Sequence, residues 1–198
     1  MSANTYLAAA ERNVLESARI GIAGAGGLGS NCAMHLVRAG VRHLTVVDFD
    51  VVNASNLNRQ FFFRDQLGLK KVAALRDNLL RIDPEADIRA VDAKLDAASA
   101  NAIFADCDIV VEAFDAVDAK AMLAAALLPR GKRLVTASGL AGWGRSNAMR
   151  VKKMGRLVAV GDGETAVGED AAPASPRVGI AAAMQANSVV AMLLGKEI

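Results

Sequence analysis

The chain has 198 residues, a formal net charge of +2, and 53% apolar residues of which few are aromatic. That length and content suit one α/β core with closely packed, alanine-rich helices, while the small charge gives no electrostatic case for nucleic acid or a membrane surface. Two cysteines, Cys32 and Cys107, are too few for a Cys-x-x-Cys zinc ribbon and form no Cys-x-x-Cys redox pair, and both read as buried thiols in a reducing compartment. Residues 1–20 carry Glu11, Arg12, Glu16 and Arg19 and lack the apolar stretch of a signal peptide. The longest apolar runs, such as 121–129, fall well short of a membrane span. The expectation is a soluble, cytoplasmic protein of one domain over 1–198.

The first element is a short apolar strand, Ile20 to Ala23, followed by Gly24, Gly26 and Gly29. Leu28, Cys32, Leu36 and Val37 then recur at helical spacing, and Gly40 ends that helix. "HLTVVD" is β-branched and apolar, as a strand covered on both faces of a parallel sheet should be. Val72, Leu75, Leu79 and Ile82 mark the next helix, with Pro84 at its exit. "ADIRAVDA" reads as a strand, "DAASANAIFADC" as a modest helix and "DIVVEAF" as another buried strand. "AKAMLAAALLPRG" is helical up to Pro129 and Gly131, and "KRLVTASG" is the strand after it. This alternation predicts a doubly wound, mostly parallel Rossmann-like sheet with right-handed crossovers. "NAMRVKKMGRLVAVGDG" predicts two strands about Gly155, an antiparallel extension near the C-terminus. Residues 161–176 read as a mobile or ligand-covering loop, and "RVGIAAAMQANSVVAMLLG" closes the chain as an apolar helix.

Gly24-x-Gly26-x-x-Gly29 stands between a strand and a helix. That is the context in which such glycines form a turn and let a phosphate approach backbone at a helix N-terminus. No Lys-Ser or Lys-Thr follows, which excludes a P-loop. Asp48 ends the second strand, well placed for ribose hydroxyls. The polar run "VVDFDVVNASNLNRQ" after it is more than a dinucleotide site uses. A nucleoside triphosphate carries an extra phosphate and calls for cations and a metal-handling carboxylate. Asn56, Arg59, Lys71 and Asp115 supply them. Singly, Arg59 and Lys71 read as solvated charges, and Asp115 as a helix cap, with Asp118 the alternative. At one sheet edge, where loops after parallel strands meet, they read together as a site.

"GAGGLGSN", "VVDFDVVNASNLNRQ", "GLKKV" and "VVEAFD" resemble, in order and spacing, the ubiquitin-activating-like adenylyltransferases of the ThiF/MoeB group. The likeness covers roughly residues 18–150. "ASGLAGWGRSNAMR" and "PRVGIAAAMQAN" resemble its compact ThiF-type branch, linked to thiamine synthesis. The resemblance implies adenylation by Mg-ATP of the C-terminal glycine of a small ubiquitin-like sulfur carrier ending in Gly-Gly. It implies that Gly24, Gly26, Gly27 and Gly29 cradle phosphate and that Asp48, assisted by Asp50, holds the ribose. Asn56 and Arg59 would bind phosphates, Lys71 the triphosphate, and Asp115 the Mg²⁺; Arg59, Lys71 and Asp115 are the catalytic candidates. It also implies a homodimer, with Arg12 as the candidate for an arginine given across it. The chain departs from the family at Ala116, where many members carry Asn, and it lacks the paired Cys-x-x-Cys zinc ligands, so no zinc is expected.

No Ser–His or Cys–His pair is apparent, and His35 and His43 read as structural. Their absence suits adenylation, because the carrier's own carboxylate is the nucleophile. The lone Trp143 reads either as a residue that packs against the carrier or as a cap on a core edge, with the core reading favoured. Two competing readings are an NAD(P)-binding oxidoreductase and a catalytically silent relative that binds partners. A tRNA base or a peptide as acceptor is a further variant, with tRNA disfavoured by the near-neutral charge.

Overall fold

The computed structural model describes residues 6–166, 168 and 171–198. Among these residues seven strands form one sheet: β1 (Arg19–Ala23), β2 (His43–Asp48), β3 (Asp87–Asp92), β4 (Ile109–Glu112), β5 (Arg133–Ala137), β6 (Arg150–Met154) and β7 (Leu157–Gly161). Their order is β3-β2-β1-β4-β5-β7-β6. β3 through β7 in that order run parallel, and only β6 is antiparallel, paired to β7. The expected extension is therefore one antiparallel strand: β7 rejoins the parallel sheet beside β5.

Among the described residues six α-helices accompany the sheet: α1 (Ala9–Ser17), α2 (Gly27–Ala39), α3 (Lys71–Leu80), α4 (Ala97–Ile103), α5 (Val117–Leu127) and α6 (Ser175–Leu193). A larger core lies on one side of the sheet, where α2, α3 and α6 bury Leu28, Leu36, Leu75, Leu79 and Val189. The smaller opposite core holds Phe104, Leu123 and Leu127 from α4, α5 and their ends. Cys32 belongs to the first and Cys107 to the second, so the sheet separates the two thiols. Burial pushes the Cys107 thiol up to about 11 and the Cys32 thiol still further.

α2 stops at Gly40, whose φ of 103° is the left-handed geometry that glycine adopts without a Cβ penalty. β1 and β4 are neighbours, with Ala23 opposite Glu112. The chain winds outward from them in opposite directions, so their carboxyl ends form the crevice in which open α/β sheets place ligands. At the far border, all five residues of β6 are exposed. No helix among the described residues is long and apolar enough to cross a membrane.

Candidate nucleotide site

At Gly24 and Gly29 the glycine turn is fixed by contacts that admit no side chain. Gly24 adopts φ +102°, and a Cβ there would lie 2.9 Å from the Ala113 carbonyl oxygen. A Cβ on Gly29 would overlap the Gly24 carbonyl oxygen. Gly24 N–H donates to Val47 O at 2.8 Å, and Ala113 N–H donates to Ala23 O at 2.9 Å. The turns after β1 and β4 are thereby packed on each other. Gly26 is the N-cap of α2 and contributes no capping side chain, so the N–H groups of the first helical turn face the crevice without one.

Asp48, at the end of β2, grips this turn. One carboxylate oxygen accepts from Ala25 N–H at 2.6 Å, and the other accepts from Asp50 N–H at 2.8 Å. A carboxylate has about four acceptor positions, which leaves room for ligand hydroxyls. Asp50 in turn pairs with Lys71, Nζ to Oδ2 at 2.7 Å, with the Lys71 side chain only 7% exposed. A lysine rarely sits so deep without a partner.

The segment between β2 and α3 is tied down by short-range polar contacts. Asn31 of α2 donates to Gly27 O at 2.7 Å and Arg59 O at 2.8 Å, and Phe61 N–H donates to Ser30 Oγ at 3.0 Å. A buried amide pair, Gln66 with Asn78, anchors the same segment to α3, and Asn78 also donates to Phe61 O. The Arg59 stem consequently runs beside the turn, with Cγ 3.4 Å from where a Gly27 Cβ would stand. Its guanidinium rests on Ser55 O and Asn58 Oδ1. Asn56 is differently employed: Oδ1 accepts from Asn53 N–H at 3.0 Å and closes a 3₁₀ turn, so only its amide nitrogen remains to meet a ligand.

Asp115 follows β4 by three residues, directly after Ala113 and Phe114, which pack against Gly24. It is exposed, and no group among the described residues donates to its carboxylate. It does not cap α5, whose N-cap is Ala116, and Asp118 lies within the helix. Asp48, Asp50, Arg59, Lys71 and Asp115 thus share one edge of the sheet with the four glycines.

Sequence reasoning overlooked the buried base of this edge. Glu112 is 1% exposed, and Lys120 of α5 reaches both its oxygens at 2.9 and 3.1 Å. Phe114 N–H donates to Glu112 Oε1 at 2.7 Å, Thr136 Oγ1 donates to Oε2, and Gln185 of α6 donates to the Glu112 carbonyl at 2.9 Å. Also unforeseen is a buried clamp between α6 and the residue after β7. Arg177 and Asp162, both 2% exposed, pair at 2.7 Å, and Arg177 also donates to Gly144 O. Burial alone pushes the Asp162 carboxyl up. Hydrogen bonds from Thr165 and Glu164 N–H, the Thr165 hydroxyl and Arg177 outweigh it and hold the group well below the ordinary carboxylate range. Asp162 and Ala174 anchor the ends of the segment read as a mobile or ligand-covering loop. Val167, Glu169 and Asp170 within it lie outside the described residues.

Trp143 is 72% exposed, which overturns the expectation of a core tryptophan. The glycines around it, Gly142 and Gly144, have positive φ and lead the chain across the surface instead of into the core. His43 stands at the opposite edge of the sheet, paired with Asp87. A depression of about 340 Å³ there, lined by Arg19, His43, Asp87 and Cys107 among others, touches none of the edge residues above. His35 lies on α2, and burial, helped by Arg38, lowers its pKa.

The chain matches the ThiF family over residues 3–198. It belongs to that family. Among curated relatives, the molybdopterin-synthase adenylyltransferase of Escherichia coli K12 is 33% identical over 93% of this chain and 76% of its own length. The adenylyltransferase and sulfurtransferase UBA4 of Eremothecium gossypii is 36% identical over 64% of this chain, which spans only 29% of that protein. Among solved structures, E. coli TcdA, a tRNA N6-threonylcarbamoyladenosine dehydratase, superposes with a TM-score of 0.86 at 22% identity in its AMP complex. That match covers 94% of this chain and 90% of TcdA, and TcdA has also been solved with ATP. E. coli MccB with ATP gives a TM-score of 0.72 at 21% identity, covering 92% of this chain and 58% of MccB. The enzyme class expected for this ThiF-family chain, a nucleotidyltransferase, agrees with the names of its curated relatives, and the expected Rossmann-like fold with its structural neighbours.

The family resemblance implies Mg²⁺, and the donor set can be tested against it. Among the described residues no three His, Cys, Asp or Glu groups gather as a metal cage. Mg²⁺ bound with a nucleotide needs no such cage: one or two carboxylates plus phosphate oxygens and water suffice. An exposed carboxylate with no protein donor, beside a helix N-terminus, meets that requirement. Asp115 fits.

Proposed function

We propose that this protein is a Mg-ATP-dependent adenylyltransferase acting on the C-terminal glycine carboxylate of a small ubiquitin-like sulfur carrier ending in Gly-Gly. A ThiS-like carrier of thiazole synthesis is the specific partner proposed, and the working unit is a homodimer. The observation that carries this reading is the meeting of the glycine turn, Asp48, Arg59, the Asp50–Lys71 pair and an unengaged Asp115 on one edge.

In this reading the turn and the α2 N-terminus receive phosphate oxygens, and Asp48 accepts from ribose hydroxyls. Arg59 and Lys71 supply positive charge to the polyphosphate, and the Asn56 amide nitrogen supplies one more donor. Asp115 would hold Mg²⁺, which when bound shields charge on the phosphates. A carrier carboxylate oxygen attacks the α-phosphorus, the bond to the bridging oxygen breaks, and pyrophosphate leaves with that electron pair. The products are an acyl-adenylate and pyrophosphate. The protein's work is to hold two anions in line and to offset charge on the leaving group. Orientation of this kind contributes up to about 7–11 kcal/mol in favourable intramolecular reactions.

A second reading places the acceptor on RNA. The sequence holds no Asp or Glu between Asp118 and Asp162. Arg150, Lys152 and Lys153 on exposed β6 have no carboxylate partner among the described residues. Net charge hides this local surplus of cations, which suits a polyanion.

Exchange of labelled pyrophosphate into ATP decides between them. Stimulation by a purified carrier ending in Gly-Gly, lost when the terminal glycine is removed, supports the first reading. Exchange or AMP release stimulated by tRNA alone supports the second. Tight NADH binding without exchange overturns both.

A further inference from the structure

We propose that the buried Glu112–Lys120 pair is a positioning device: it fixes the turn that carries Asp115 against the glycine turn. The inference rests on the nucleotide reading above and adds the residues that set that geometry.

The argument starts from a buried carboxylate with several donors. Glu112 ends β4 in a run of buried strand residues and is itself 1% exposed. A charge so placed is stable only when paired and hydrogen-bonded. Lys120 reaches it from the first turns of α5, eight residues on, and also donates to Ala137 O at the end of β5. Thr136 of β5 adds a hydroxyl. One charge pair therefore joins β4, β5 and α5.

The remaining donor to Glu112 is the functional link. Phe114 N–H, one residue before Asp115, bonds to Oε1 at 2.7 Å. This fold-back curls the chain straight after the strand, and the Phe114 ring edge then lies 3.5 Å from the Cβ position of Gly24. Asp115 follows directly, exposed and with no donor to its carboxylate among the described residues. A metal-binding carboxylate must be held within a fraction of an ångström to be effective, and here the backbone beneath it does the holding. Neither Glu112 nor Lys120 would touch nucleotide, so both act through Asp115.

The test uses Mn²⁺ as the probe metal, with its binding to the full chain and a non-hydrolysable ATP analogue read by electron paramagnetic resonance. Melting temperature is recorded in parallel. Glu112→Met with Lys120→Met removes both charges together. It should keep the melting temperature within a few degrees of the parent while weakening Mn²⁺ binding about tenfold. Lys120→Arg, which keeps charge and donors, should bind Mn²⁺ within twofold of the parent. Lys120→Gln, a smaller change at a partly exposed site, should weaken it about threefold to fivefold and serves if the double variant does not fold. Parent-like Mn²⁺ affinity in the double variant, or in Lys120→Gln, overturns the proposal and leaves the pair a purely structural bridge. Asp115→Asn is the discriminating control. If it too binds Mn²⁺ like the parent, Asp115 is not the metal carboxylate, and that part of the nucleotide reading falls together with the positioning role. If it alone loses binding, only the positioning role falls.

Discussion

Arg59 and Lys71 are both cations at the crevice, yet they are held differently, and substitutions should separate them. Arg59→Ala removes a half-exposed group and should leave stability unchanged, while pyrophosphate exchange falls about 10²–10³-fold, the usual loss for one electrostatic donor at about 3–4 kcal/mol. Lys71 is buried against Asp50. Asp50→Asn strands that ammonium and should lower the melting temperature. The cost should stay below the ~3–5 kcal/mol of a fully buried broken pair, because Asp50 is half exposed. Lys71→Ala should cost activity on the Arg59 scale and less stability than Asp50→Asn, since the Asp50 carboxylate left behind can rehydrate. Asp162 gives a pH signature. Its folded carboxyl is depressed below 3.8, the ordinary value, so its contribution is complete above about pH 4. It is lost as pH falls further, because the unfolded chain takes up the proton first. Acid unfolding followed by circular dichroism should show that limb. Asp162→Asn should flatten it, and by leaving Arg177 buried and unpaired should cost ~3–5 kcal/mol at neutral pH.

At the level of elements, the strands and most helices were legible because burial on a sheet leaves a period in the sequence. The Val and Ile runs of β2 and β4 and the helical spacing in α2 and α3 are direct records of what they face. α1 escaped because Leu15 is its single buried residue, too little to write a pattern. Glu112 was hidden inside "DIVVEAF", where one acid among valines reads as strand, and its partner belongs to the next helix. Arg177 and Asp162 pair only through tertiary structure, which leaves no local trace. The glycine turn was readable and its tightness was not. Gly29→Ala should be destabilising by about 3 kcal/mol, the upper end of overpacking costs, because the new methyl overlaps a backbone oxygen that cannot swing away. Gly26→Ala meets nothing closer than 3.8 Å and should fold normally. Chemical denaturation of the two variants checks the contrast. A Gly26 side chain would still crowd an incoming phosphate, so its exchange activity should drop without a matching loss of stability.

For the whole molecule, ligand binding should appear as added thermal stability. At a free Mg-ATP concentration 100 times its Kd, linkage contributes about 2.7 kcal/mol. A domain this size gains roughly 2–4 °C per kcal/mol, so a rise of ~5–10 °C is expected, with none from NADH at equal concentration. The residues proposed for the site come from segments spread over much of the chain, and sequence order with the parallel-sheet rule pointed to the one edge that carries them. How each is held, and by which neighbours, was not readable, since that depends on contacts between segments distant in sequence. The outermost strand carries one last consequence. Among the described residues β6 has no strand on its outer side, which leaves a row of main-chain amides and carbonyls as a border onto which a second copy can zip. Arg150, Lys152 and Lys153 crowd that border with like charge, so two copies approaching there repel before their backbones meet. Replacing both lysines with threonine should turn a well-behaved solution into one that scatters light on standing, and concentrated salt should weaken the protection in the native chain.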